Sequence, residues 1–128
     1  LVDFIFQNNG ATGNARGVTL TGALRVVVTA VRGTGMRCDG NAAYIECEVY
    51  AINQSNSSGN SGAGYHLNTG GASFTNCIAH DNAQVNGSGF NGNPNTSGVT
   101  IINCIADTNG LHGYDFNGNP CQITMNGC

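Results

Sequence analysis

The chain contains no lysine and no long apolar run, and only 9% of its residues are charged. Four arginines and seven acidic residues leave a formal net charge of −3. So few cations provide no electrostatic footprint for nucleic acid or an anionic membrane. No stretch approaches the roughly 20 apolar residues of a helical membrane span. Helical periodicity is missing throughout. There is no C-x-x-C, which removes the usual zinc patterns. No D-x-D cluster occurs either, so calcium, which needs six or more oxygens, has only the scattered Asp81, Asp107 and Asp115 to draw on. The expectation is therefore no cofactor, with calcium at those aspartates as the exception.

What the chain does have is repetition. Apolar residues make up 40% of it and fall at recurring positions, which separates it from a disordered Asn/Gly-rich segment. Near-copies of one string end in cysteine: AYIEC at Cys47, SFTNC at Cys77, TIINC at Cys104 and TMNGC at Cys128, at intervals of 30, 27 and 24 residues. A second motif runs in step: GMRCDGN from Gly35, GYHLNTG from Gly64, GFNGNPN from Gly89 and GYDFNGN from Gly113. Two motifs keeping one order through four copies indicate a solenoid, each copy forming one coil.

Alignment on the cysteines yields consistent columns. Ala42, Ala72, Val99 and Ile123 stand five residues before them, and Tyr44, Phe74, Ile101 and Met125 three before. A spacing of two places these side chains on one strand face. EVYAIN, IAHDN and IADTN then form a second strand, and the glycine motif a third, with Met36, Tyr65, Phe90 and Tyr114 in one column. Asn76 and Asn103 fall at the bend before the cysteine. Three short strands per roughly 24 residues predict an all-β fold. It is a right-handed parallel β-helix solenoid of about four full coils with partial coils at each end. Residues 1–128 form a single domain, with 1–17 as the partial N-terminal coil and 18–128 as repeated coils. VTLTGA from Val18 fits the frame with Ala23 in the cysteine position and Leu20 in the Ile101 column. LVDFIF is a strand of an earlier partial coil, and 54–63 is the largest loop insertion. After the cysteine, either Cys104 and Ala106 or Ile105 points inward.

The strings FTNCIAHDN, VTIINCIADTNG and HGYDFNGN resemble right-handed β-helix proteins of the pectate-lyase type, and most of all the family-9 polysaccharide lyases. The resemblance spans roughly residues 18–128 and implies fold more than activity. That family uses a lysine base with calcium held by aspartates, and the lysine has no counterpart here. Polygalacturonases of the same fold use clustered aspartates and a Gly-His-Gly. Gly110-Leu111-His112-Gly113 does not match that motif.

Candidate chemistry falls on outward columns. Arg37, His66, Asn91 and Asp115 stand two residues after the motif glycine, stacked about 4.8 Å apart. Tyr50, His80 and Asp107 form another column, three after the cysteine. The first is either a glycan-facing column or an ordinary solvated face. Asp107 and Asp115 are the catalytic candidates of a hydrolase reading, which needs two carboxylates about 5–10 Å apart. The stacked cysteines permit two readings: disulfides, Cys47 with Cys77 and Cys104 with Cys128, or a ladder of buried free thiols.

Six cysteines, a charge-poor surface and sequons at Asn53, Asn56, Asn86 and Asn95 point to an extracellular or cell-surface glycoprotein. LVDFIF begins at once and Cys128 falls within a strand motif, with no helical cap legible beside either. Beginning Leu1-Val2-Asp3 without Met, a signal peptide or a charged leader, the chain reads as a processed product, a fragment, or a sequence read without its gene. The expected function is non-enzymatic: a structural subunit that stacks head-to-tail on itself into a filament. The alternatives are a fragment of a polysaccharide lyase or hydrolase acting on acidic polysaccharide, and a glycan-binding segment of a tail spike or adhesin. Partners are the chain itself and a polysaccharide, without nucleic acid and without membrane insertion.

Overall fold

The computed structural model of the chain describes residues 1–7, 16–30, 33–52, 62–82, 87–92, 96–116 and 123–128. The four sequon asparagines, Cys121 and most of the 54–63 insertion lie outside them. The described residues hold fifteen strands and no helix. The first coil runs β1 (Ile5–Gln7), β2 (Arg16–Leu20) and β3 (Ala23–Leu24), and the second β4 (Val27–Thr29), β5 (Thr34–Cys38) and β6 (Ala43–Ile45). The third is β7 (Glu48–Tyr50), β8 (Tyr65–Leu67) and β9 (Ser73–Thr75). The fourth is β10 (Ile78–His80), β11 (Ser88–Gly92) and β12 (Val99–Ile102). The fifth is β13 (Ile105–Asp107), β14 (His112–Phe116) and β15 (Ile123–Asn126).

Every third strand pairs in parallel, giving three five-stranded sheets: β1-β4-β7-β10-β13, then β2-β5-β8-β11-β14, then β3-β6-β9-β12-β15. These are called the first, second and third sheets. The fold is an all-β parallel β-helix of about five coils, one more than the repeated strings suggest. The extra coil is the one whose cysteine is replaced.

Two corners per coil explain the short strands. Between the third and first sheets one residue takes a left-handed conformation: Asp3, Arg25, Glu46, Asn76 and Asn103 at φ of 50–53°, then Gly127 at 65°. Between the first and second sheets Ala30, Ala51, Asp81 and Thr108 do the same at 51–54°. Left-handed geometry costs a non-glycine residue roughly 1–2 kcal/mol, so the stacked coils must compensate for nine such residues. The expected bends at Asn76 and Asn103 are among them. The residue after the first corner points into the core, so Cys104 is buried while Ile105 is 55% exposed. That settles the phase of the strand after the cysteine.

The interior is a set of ladders. Val18, Met36, Tyr65, Phe90 and Tyr114 share one column in register. The Tyr65–Phe90 and Phe90–Tyr114 rings stack at 4.6 and 5.1 Å. From the third sheet, Tyr44 and Phe74 stack at 5.0 Å, and Phe74 meets Phe90 edge-on. The hydroxyls of buried Tyr44 and Tyr65 and of half-buried Tyr114 each donate to a main-chain carbonyl, those of Leu20, Ile78 and Cys104 respectively. The rings thereby enter the core without an orphaned polar group. Asn82 and Asn109 form a second ladder, Asn82 Nδ2 donating to Val49 O and Asn109 Oδ1, and Asn109 Nδ2 to Ala79 O.

The motif glycines are required by close approach. A Cβ on Gly89 would lie 2.6 Å from Gly113 O, 2.8 Å from Asn109 Nδ2 and 2.9 Å from the Ala106 Cβ. One on Gly64 would lie 2.8 Å from Gly89 O and from Asn82 Nδ2. The glycine column is where the second sheet begins against the asparagine ladder.

The VTLTGA frame needs correction. Leu20 pairs with Cys38 in the second sheet, and Ala23 pairs with Tyr44 in the third. Ala23 thus occupies the Ile101 column rather than the cysteine position. Val26, whose carbonyl accepts from Glu48 N as Cys47 O accepts from Ile78 N, holds the cysteine position. LVDFIF does form a partial turn of an earlier coil, through β1 and a Val2–Leu24 bridge.

Candidate functional site

The outer face of the second sheet carries the predicted polar column. Arg37, His66, Asn91 and Asp115 are register partners on adjacent strands, with Thr19 preceding them. Their side chains bind one another along the stack. His66 Nδ1 lies 3.1 Å from Asn91 Oδ1, and Asn91 Nδ2 donates to Asp115 Oδ2 at 3.3 Å. Arg37 Nε donates to Asp39 Oδ1 at 3.1 Å. The column is not a freely solvated face: His66 is 7% and Asn91 9% exposed.

The outer face of the first sheet carries a tighter group. His80 Nε2 lies 3.0 Å from Glu48 Oε1, and Nδ1 lies 2.8 Å from Asp81 Oδ2. Burial pushes the His80 pKa down, but its hydrogen bonds to Asp81 and Glu48, with their negative charges, outweigh burial and raise it. The Tyr50 ring stacks on His80 at 5.0 Å with 6° between planes, and Asp107 is the register partner of His80 in the next strand. Glu48 was overlooked as a site residue in the sequence. The signal was available, because Glu48 and Tyr50 alternate with inward Val49 on one strand and must share its outer face.

This geometry bears on sugar recognition. Stacked in-register rings turn a face toward the neighbouring coil, so Tyr50 and His80 do not lie flat on the surface as a sugar platform does. Asp107 belongs to the first sheet and Asp115 to the second, so the two carboxylates project from different faces of the stack. Among the described residues no group of three His, Cys, Asp or Glu side chains is placed to hold a metal ion.

Of the two readings of the cysteine column, the structure shows free thiols and not the disulfide pairs. Cys38, Cys47, Cys77, Cys104 and Cys128 are all unbridged, so neither Cys47–Cys77 nor Cys104–Cys128 forms. In a parallel in-register ladder the Cα–Cβ bonds run side by side. The Cβ atoms then stay near the strand spacing of about 4.8 Å, whereas a disulfide draws them to about 3.8 Å. The four thiols of the recurring column instead reach back across their corners. Cys47 donates to Ile45 O at 3.3 Å, Cys104 to Ile102 O at 3.3 Å, and Cys128 to Asn126 O at 3.4 Å. Cys77 donates to Tyr44 O and Thr75 O. Hydrogen bonds to the Cys104 and Cys47 thiols, together with burial, push the Cys77 pKa up, and burial does the same to Cys38. The same hydrogen bonds from Cys77 pull the Cys47 and Cys104 pKa values down to about 7 against burial, while Cys38, Cys47, Cys77 and Cys104 all remain buried packing groups.

Comparison of the chain with family models, with curated proteins and with solved structures finds no match.

Proposed function

We propose that this chain is a non-enzymatic structural β-helix that joins copies of itself end to end into a filament, outside the cell or at its surface. One observation carries the reading. Among the described residues no strand pairs beyond β13, β14 and β15 at one end or beyond β1, β2 and the Val2–Leu24 bridge at the other, and Phe4 and Met125, members of inward columns, are exposed there. Such edges are templates for another strand, and two unlike complementary edges make a contact that propagates. The outward polar columns support the same reading, because their side chains link coil to coil. Negative-stain microscopy and sedimentation of the 128-residue chain over a concentration series test it. Filaments that lengthen with concentration are expected. A concentration-independent monomer overturns the proposal.

A second reading rests on the His80 group. Glu48, Tyr50, His80 and Asp107 share one outer face with Asp81 at its corner, a polar and ring cluster on which the alternative of a polysaccharide enzyme or a glycan-binding spike rests. The likeness of the repeat strings to family-9 polysaccharide lyases supports its fold; the missing lysine weighs against that family's chemistry. Unsaturated-product and reducing-sugar assays, with and without calcium, discriminate the readings. Turnover lost in Asp107→Ala or Asp115→Ala would favour the enzyme. Glycan binding by a trimer without turnover would favour the spike.

A further inference from the structure

The recurring thiols leave a regular interval between them. Cys47, Cys77 and Cys104 succeed one another in a column, each directly before one of the register partners Glu48, Ile78 and Ile105. The three buried side chains share one conformation. Each sulfur lies 3.3–3.5 Å from the carbonyl oxygen two residues back, that of Ile45, Thr75 or Ile102. Equal conformations on in-register strands carry the sulfurs along the stack at the strand spacing, about 4.8 Å.

That separation selects among bridges. An S–S bond is about 2.05 Å long, so the column is too wide for it. Metal–thiolate bonds run at about 2.3 Å, and two in line span about 4.6 Å. One ion between successive sulfurs therefore fits without moving either strand. An ion held by two sulfurs in line must accept linear coordination, and among biological ions selected by soft thiolates that is Cu(I). Zn(II) needs four ligands in a tetrahedron, which a single column cannot supply. No group of three His, Cys, Asp or Glu side chains supplies it elsewhere among the described residues.

The main chain favours the ionised sulfur that such an ion requires. Cys77 N–H donates to Cys104 Sγ at 3.4 Å. Main-chain hydrogen bonds from Cys47 to Cys77 and from Val26 to Cys47 act in the same direction. Each sulfur is thus served by the rung before it. Packing alone does not call for sulfur here, because Val26 fills the same position in the first coil and is fully buried.

We propose that the Cys47–Cys77–Cys104 column is a binding site for Cu(I), with one ion between each pair of neighbouring sulfurs and Cys77 shared. Three thiols and two Cu(I) ions give one S–Cu–S–Cu–S chain and release three protons to solvent. The chain carries one net negative charge, which the N–H groups aimed at the sulfurs offset. The site does not depend on copies joining end to end.

The probe is Cu(I) itself, added without oxygen as its acetonitrile complex to the reduced protein. Ultraviolet titration reads the thiolate-to-copper charge-transfer band, and X-ray absorption reads the ligands. The intact chain is compared with Cys77→Val, a residue the column already accepts at Val26, and with Cys38→Ala, which removes a buried thiol outside the column. Circular dichroism checks that each is folded. A copper shell of two sulfurs at about 2.3 Å is expected, with affinity rising as pH rises because protons are released. Cys77→Val should weaken binding at least tenfold, since it leaves Cys47 and Cys104 two rungs or about 9.6 Å apart. Cys38→Ala should bind as the intact chain does. If Cys77→Val fails to fold, Cys47→Val removes one interval only and should bind one ion fewer. Copper bound equally by the intact chain and the folded column variants, a shell containing nitrogen or oxygen, or no binding by the intact chain overturns the proposal.

Discussion

At the scale of the residue, the cysteines and His80 show how a ladder redefines a side chain. A thiol recurring at a fixed position looks like a cross-link in a sequence. In the stack it is a small apolar group that crosses its own corner to a carbonyl two residues back. His80 is the opposite case, an ordinary-looking surface histidine drawn between Glu48 and Asp81 with Tyr50 on its face and Asp107 in the next rung. Because its folded pKa is raised above the ordinary 6.5, the stabilisation it supplies is complete below that value. It fades as pH rises through the raised value. Thermal melts of the protein and of His80→Gln should therefore differ most between about pH 5 and 6.5, where the carboxylates are still ionised. The difference should shrink in alkaline solution; an equal gap at every pH would show that the imidazolium contributes nothing.

At the scale of the element, the coil is defined by its two corners and by the glycines at the start of the second sheet. Gly89 admits no Cβ, since Gly113 O, Asn109 Nδ2 and the Ala106 Cβ surround the place it would take. Gly89→Ala should lower stability by about 1–3 kcal/mol, the usual cost of overpacking, as read by denaturant melts. Thr108 presents the reverse situation: a β-branched residue held at φ 51° on an exposed corner. Thr108→Gly should relieve roughly 1–2 kcal/mol of left-handed strain, part of which the extra chain entropy of glycine offsets. A small rise in melting temperature is expected. Both sites were legible as motif positions, but the reason for the glycine was not, because the atoms it avoids belong to the next coil. The Ala23 misassignment has the same origin. With Val26 in the place of the cysteine the first coil loses its mark, and only pairing with Tyr44 fixes its register.

At the scale of the whole molecule, stability should follow the distribution of the core. The large buried rings, Tyr44, Tyr65, Phe74 and Phe90, sit in the middle coils, while Ala23, Val26 and Val28 fill the first turns. A solenoid's local stability depends on each coil and its neighbours. Amide hydrogen exchange should accordingly be slowest in β8, β9 and β11 and fastest in β1 and β15. Uniform protection along the stack would mean that the coils unfold as one unit. In a filament the contrast should lessen, because β15 and β1 would then be covered.

The amino-acid order by itself determined the solenoid. Period-two alternation, the recurring glycine motif and the recurring cysteine are local patterns, and translation of one coil onto the next makes them sufficient for class, strand faces and most of the core columns. The outward column of Arg37, His66, Asn91 and Asp115 was legible for the same reason. Tertiary structure alone decided what depends on neighbouring coils at atomic distance. It showed that the thiols stay unbridged, that His80 is clamped by two carboxylates, and that Asp107 and Asp115 lie on different sheets. Apart from Asp81 beside His80, each of these is a relation between residues some twenty or more apart in the chain or on different sheets. Their separation is set by strand spacing and corner geometry, and nothing in a linear pattern of residue types records it.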